Sequence, residues 1–152
     1  MTDTITKTTH VKAPIERVWR AISDHKEFGQ WFKVALDRPF QAGQTSTGKM
    51  THPGYEHVAW NAQIEAIEPN RRFALRWHPF AIEPDVDYSN EPTTLVEFLL
   101  EPEADGTRVT ITETGFDRLP EARRENALRS NTQGWAAQAV NLREYAEARA
   151  EA

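Results

Sequence analysis

The chain has 152 residues, enough for one domain with a sizeable core. Its formal net charge is -5 and its 18 basic residues form no cluster, which argues against nucleic acid or an acidic membrane surface as a partner. The lack of cysteine excludes disulfides, a thiol nucleophile and thiolate metal ligands. The first residues lack the apolar core of a signal peptide, and no stretch is apolar enough for membrane insertion, so we expect a cytoplasmic protein.

The N-terminal third predicts a strand, a helix and a short aromatic segment. Residues 5–13 alternate as a strand does. Pro14 then suits the first turn of a helix, which is followed by an aromatic-rich turn or short helix over 27–33. Gly and Pro punctuate residues 41–55, which can hold one or two short strands.

The middle of the chain predicts a run of antiparallel strands. Four stretches alternate apolar and polar residues, and the segment 103–106 between the last two is typical of a hairpin turn. The Pro-rich segment 78–92 is longer than a hairpin needs, so it is either a lid, a contact surface or a solvated loop. The four stretches are 57–67, 71–78, 93–101 and 107–116.

Residues 120–148 lack an internal proline and predict one long terminal helix. One-sided alternation in the strands predicts a sheet with one solvent-exposed face and one apolar face that another element must bury. This helix is the only predicted element long enough to cover the apolar face. The sequence therefore predicts an α+β fold in which a curved antiparallel sheet of about six or seven strands wraps around the helix. A single domain over 1–152 is expected.

Several motifs, in this order, carry a resemblance to a known superfamily. They are VKAPIERVWRAISD, QWF, the pairing of IEAIEPNRRFALRW with LVEFLLEPEADGTRVTITETGF, and GW in the last helix. The chain thus resembles the bacterial START-like (SRPBCC) proteins, and within them the branch named after the activator of the heat-shock protein 90 ATPase. The resemblance covers nearly the whole chain and implies the helix-grip fold, in which ligands lie between the concave sheet and the long helix.

The last helix departs from the family pattern at two positions. Relatives tend to have Gly-Trp, two polar residues and then two apolar ones, the second commonly leucine. Gly134 and Trp135 match this pattern, whereas Gln138 and Ala139 do not. A missing leucine and an added amide predict a cavity between the helix and the sheet.

Glu113 is the strongest single candidate for a ligand-binding or catalytic residue. Alternation places it on the inward face of its strand together with Val109 and Ile111. A buried carboxylate is costly unless it is paired or protonated, so such a residue often marks a site. Glu113 could anchor a polar group of a ligand or act as a general base; alternatively, it lies solvated at the open end of the strand.

An aromatic set and two amides complete the predicted ligand site. Large rings with few polar groups are typical of small-molecule pockets, although each ring could equally belong to an ordinary core. Asn131 and Gln138 would supply the polar groups, unless they form a helix edge in water. The aromatic residues are Phe32, Trp60, Trp77, Phe98 and Trp135.

No metal or other cofactor is expected. The five histidines show neither the i, i+4 spacing nor the nearby carboxylate of a known ligand pattern, and no Gly-rich phosphate loop is present. A clear second catalytic group beside Glu113 is also missing.

Three functions follow as hypotheses. The first is a binding protein whose internal cavity takes a small, largely apolar or amphipathic molecule. The second, implied by the resemblance, is a module that regulates a chaperone. The third is an enzyme of the cyclase or hydrolase kind that uses Glu113. A homodimer is left open by the sequence.

Overall fold

A computed structural model describes residues 4–83 and 85–150. Its elements are β1 (Thr4–Val11), α1 (Ile15–Ser23), α2 (His25–Phe32), β2 (Val34–Leu36), β3 (Thr45–Met50), β4 (Ala59–Glu68), β5 (Arg72–Trp77), β6 (Thr94–Glu103), β7 (Gly106–Thr114), a 3₁₀ turn (Phe116–Arg118) and α3 (Glu121–Ala148). The predicted α+β class and the predicted order of elements are confirmed.

All strands join one antiparallel sheet in the order β1-β7-β6-β5-β4-β3-β2. Strand β2 was not predicted, because three residues directly after a helix are too few to show a period of two. The register between β4 and β5 shifts between Ile64 and Ala66, and such a bulge bends a strand and increases its twist.

The hairpin between β6 and β7 has the predicted tight turn. Asp105 adopts a left-handed conformation with φ 65°, which suits aspartate better than most residues. Gly106 is required for a different reason: a Cβ there would stand 2.0 Å from the Val11 carbonyl oxygen, so only glycine lets β1 approach this closely.

Helix α3 has 28 residues and is therefore about 42 Å long. Its buried side chains lie three, four or eight residues apart, so they form one stripe that packs into the core. They are Ala127, Trp135, Ala139, Leu142 and Ala146. The long helix thus covers the concave face of the sheet, as predicted.

Helix α2 brings aromatic residues to the same core. Asp24 starts it by accepting hydrogen bonds from the backbone N–H groups of Lys26 (2.9 Å) and Glu27 (3.1 Å), an N-cap arrangement. The helix ends at Phe32, and Lys33 takes a left-handed conformation that turns the chain into β2. The Phe32 ring packs against Trp60 of β4 and Trp135 of α3.

None of the helices within 4–83 and 85–150 is both long and apolar enough to cross a membrane.

Candidate functional site

Three neighbouring strands present polar or amphipathic side chains at one end of the concave face. Trp77 is the last residue of β5, and it pairs with Thr94, the first residue of β6. Glu113 lies on β7 opposite Val96, one inward position from Thr94. Since inward side chains recur every second residue, these three side chains meet at the same end of the sheet.

Glu113 is 0% exposed and accepts four hydrogen bonds. Its Oε2 accepts from Trp77 Nε1 at 2.7 Å and from Thr94 Oγ1 at 2.5 Å. Its Oε1 accepts from Asn131 Nδ2 at 3.0 Å and from Trp135 Nε1 at 2.8 Å. Glu113 is therefore not solvated at the strand end, which was the alternative left open by the sequence.

The four donors match the four lone-pair positions of an ionised carboxylate. None of them is charged, and within the described part of the chain Glu113 forms no ion pair with a lysine, arginine or histidine. The interior thus carries one carboxylate that is satisfied by hydrogen bonds but not balanced by a cation.

Two of the predicted aromatic residues, Trp77 and Trp135, bind this carboxylate, and the five rings of the set pack against one another. The Trp77 ring lies 5.6 Å from that of Trp60, 5.8 Å from that of Trp135 and 6.3 Å from that of Phe32. Phe98 packs edge-on against Trp135 at 5.7 Å. Phe32, Trp60, Phe98 and Trp135 are buried, whereas Trp77 is partly exposed. Trp77 is therefore the ring of this set that borders solvent.

Gln138 and Ala139 lie further along α3. The Gln138 amide donates to the Phe32 carbonyl at 3.2 Å, which links α3 to the C-terminal end of α2. Ala139 is 7% exposed and belongs to the hydrophobic core. Two small clefts, one beside Gln44 and one beside Tyr88, lie away from both residues. The cavity at Gln138 and Ala139 stays a prediction.

The long connection between β5 and β6 runs beside the candidate site. It starts next to Trp77 and ends at Thr94, so two of the four donors to Glu113 flank it. Arg123 of α3 holds it: the guanidinium donates to the carbonyls of Pro79 (2.9 Å) and Phe80 (3.0 Å) and forms an ion pair with Glu91 at 2.8 Å. The loop is thereby fixed to the helix that carries Asn131 and Trp135.

We expect Arg123→Lys to loosen this loop. Lysine has three donors and cannot reproduce the planar fork of arginine, so at least one of the four acceptor oxygens loses its donor. A loss of about 1.4 kcal/mol in local stability would speed amide exchange about tenfold. Hydrogen–deuterium exchange of residues 85–92 measures this.

Arg129→Lys is the matched control, because Arg129 is on the same helix and 63% exposed, with Glu125 3.9 Å away. Equal exchange in both variants and the wild type would mean that Arg123 does not hold the loop.

Sequence reasoning missed two residues of this region. Thr94 continues the inward series Val96, Phe98 and Leu100 by two positions, so alternation could have placed it beside Glu113. Arg123 lies two turns before Asn131 on α3, but its partners are backbone carbonyls of a loop. No sequence pattern marks such contacts.

Within 4–83 and 85–150, no three histidine, aspartate or glutamate side chains lie close enough together to hold a metal ion. All four side chains that contact Glu113 do so through an N–H or O–H donor, and the two indoles among them have no lone pair for a metal ion.

Several solved structures share this fold. DynU16, a protein of the dynemicin biosynthetic locus, superposes with a TM-score of 0.74 at 22% identity; the match covers 97% of this chain and 48% of that one, so the chain spans about half of DynU16. A protein from Rhizobium leguminosarum has a TM-score of 0.66 at 25% identity, covering 95% and 93% of the two chains. The Aha1 dimer from Colwellia psychrerythraea has a TM-score of 0.71 at 18% identity, covering 97% of each chain.

These likenesses show the helix-grip fold. No protein with curated information matches the sequence significantly. The model of one family, described as "Activator of Hsp90 ATPase homolog 1-like protein", matches residues 12–147, which is most of the chain and includes all four donors to Glu113. The chain therefore belongs to the family of activator of Hsp90 ATPase homolog 1-like proteins.

Proposed function

We propose that this domain binds a small, amphipathic molecule between the concave sheet and α3, with Glu113 as the polar anchor. The observation that carries the proposal is a fully buried carboxylate with four uncharged donors and no cationic partner among the described residues, two of the donors being indoles of an aromatic cluster. Phe32, Trp60 and Trp135 would form the apolar walls, and Asn131, which donates to Glu113 in the unliganded domain, would border the polar group of the ligand.

Stability alone gives little reason for this arrangement. Burial of an ionised carboxylate is costly, and replacing a buried polar group together with its partners by apolar groups of the same shape can be nearly neutral for stability. The neighbours of Glu113 on the inward face of β7 are Val109 and Ile111, so an apolar residue there would continue the core. Polar groups that disturb an otherwise consistent core are expected at functional sites.

Trp77 indicates how a ligand would enter. Its indole is an aromatic body with one N–H donor, it lies among the rings of Phe32, Trp60 and Trp135, and it is the partly exposed member of that set. A ligand that displaces this indole outward would gain both the ring contacts and the hydrogen bond to Glu113. In the unliganded domain, Trp77 would thus fill the place of the ligand.

An enzymatic role for Glu113 has less support. A general base needs a free lone pair near the substrate and usually a second group that handles the proton. Its four partners are two indoles, an amide and a hydroxyl, none of which gains or loses a proton near neutral pH.

Nuclear magnetic resonance of the ¹⁵N-labelled indoles tests the binding proposal. Indole added as a probe is expected to shift the side-chain N–H signals of Trp77 and Trp135 saturably. The signal of Trp31 serves as an internal control, because its N–H donates to the Ala21 carbonyl at 2.8 Å, away from Glu113. Single Trp→Phe variants assign the signals.

Unchanged Trp77 and Trp135 signals up to the solubility limit of indole would argue against the proposal. A shift of all five tryptophan signals together would indicate an effect on the whole fold rather than a site.

A second candidate function is a contact with an Hsp90-type chaperone through the outer surface. The family description names an activator of the Hsp90 ATPase, and one structural neighbour is an Aha1 dimer. The mutual packing of the interior rings favours this alternative, since a module that acts through its surface needs no internal space. Stimulation of ATP hydrolysis by purified bacterial Hsp90 would support it, and the oligomeric state measured alongside tests a homodimer.

A further inference from the structure

We infer that the ligand carries a cationic, forked N–H group of the amidinium or guanidinium type, which binds both oxygens of Glu113. The inference rests on the proposed function and narrows its ligand to one charge class. It comes from the arrangement of the four donors around the carboxylate and from the absence of a cationic partner among the described residues.

The donors form two pairs that differ in burial. Each carboxylate oxygen has one buried donor: Thr94 on Oε2 at 2.5 Å and Trp135 on Oε1 at 2.8 Å. Each oxygen also has one partly exposed donor: Trp77 on Oε2 at 2.7 Å and Asn131 on Oε1 at 3.0 Å. The inner pair is fixed by the core, and the outer pair can be replaced from solvent.

Replacement of the outer pair would free one lone pair on each oxygen. A planar group with two parallel N–H donors matches this geometry, as arginine does when it binds a carboxylate bidentately. A single hydroxyl or amine would satisfy one oxygen and leave the other without its outer donor, which is costly for a buried charge.

Charge favours the same class of ligand. The carboxylate has no lysine, arginine or histidine partner in the described chain, so a cation would supply the missing balance in a region of low dielectric. The rings of Phe32, Trp60 and Trp135 surround the place that the Trp77 indole now occupies. Aromatic faces attract cations and also hold a flat apolar body. The net charge of -5 adds a weak long-range attraction.

Four probes of nearly equal size separate charge from shape: benzamidine as the cation, benzamide as the neutral analogue, benzoate as the anion and toluene as the apolar body. Calorimetry and thermal shift report affinity, and the Trp77 N–H signal reports the place of binding. We expect benzamidine to bind at least tenfold more tightly than benzamide or toluene, and benzoate more weakly than either.

The variant Glu113→Gln should bring the affinity for benzamidine down to that for benzamide. Glu97→Gln is the matched control: Glu97 lies on the other face of neighbouring β6, paired with Arg72 at 2.7 Å, and its loss should leave benzamidine binding unchanged. If Glu113→Gln does not fold, Asn131→Ala replaces it. This variant removes one outer donor from Oε1, so it should raise the affinity for benzamidine.

The outcomes separate this inference from the function on which it rests. If benzamide or toluene binds as tightly as benzamidine and shifts the Trp77 signal, the inference that the ligand is a cation is wrong, but the proposed binding site is still supported. Equal benzamidine affinity in the wild type and Glu113→Gln would likewise overturn it. If none of the four probes moves the Trp77 signal, both the site and the inference fall.

Discussion

Replacement of Trp135 by alanine is expected to lower the free energy of unfolding by about 3–5 kcal/mol, the usual cost of an aromatic truncation in a core. Trp135 is 4% exposed and lies within about 6 Å, ring to ring, of Phe32, Trp77 and Phe98. Its N–H also donates to Glu113, so the variant leaves a cavity and removes one of the two buried donors. Chemical denaturation followed by circular dichroism measures the loss.

One further variant separates the contributions to this cost, and another serves as its control. Trp135→Phe keeps a ring but removes the N–H donor, and we expect it to cost about 1.5–3 kcal/mol, the range for a hydrogen bond to a charged group. Val140→Ala is the control, since Val140 is 39% exposed on the same helix and should change stability by about 0.5 kcal/mol or less. A cost near zero for Trp135→Ala would mean that the described orientation of α3 is wrong.

Glu113→Gln is expected to cost about 1–3 kcal/mol, and Glu113→Leu more. The amide nitrogen of glutamine is a donor, so in either orientation it faces one tryptophan N–H that cannot accept, that of Trp77 or that of Trp135. One donor is then left without a partner. Leucine leaves both buried donors, Thr94 and Trp135, unsatisfied.

The orientation of glutamine gives this prediction a second readout. Thr94 can turn its hydroxyl to accept a hydrogen bond, and the N–H of the partly exposed Trp77 can turn to water, whereas that of buried Trp135 cannot. The amide nitrogen should therefore take the Oε2 side and release Trp77. The Trp77 N–H signal should therefore move towards that of a solvated indole while the Trp135 signal moves less. A Glu113→Gln variant as stable as the wild type, with both signals unchanged, would mean that the four hydrogen bonds contribute nothing to folding.

The fold was largely predictable from the sequence because its signals are local. The alternation in β4 to β7 and the proline-free run that forms α3 each depend on neighbours in the chain. An apolar sheet face must also be buried by another element in any such fold. Strand β2 was missed since three residues show no period. Family motifs then supported the same arrangement independently.

The candidate site was predictable only in part. Alternation gave the inward direction of Glu113, and composition suggested the surrounding rings, but neither gives a distance. That Trp77, Thr94, Asn131 and Trp135 converge on one carboxylate depends on the register of three strands and on the rotation of α3 about its axis. These are properties of tertiary packing.

The sequence by itself thus determined the class, the order of elements and the inward placement of a single carboxylate. Only the tertiary structure decided that this carboxylate is fully enclosed, which donors satisfy it and that no cation of the described residues balances it. The physical reason is the distance along the chain over which each property is set. Secondary structure follows from periodicity within a few residues. The environment of Glu113 comes from residues of β5, β6 and α3 that lie 18 to 36 residues away in sequence.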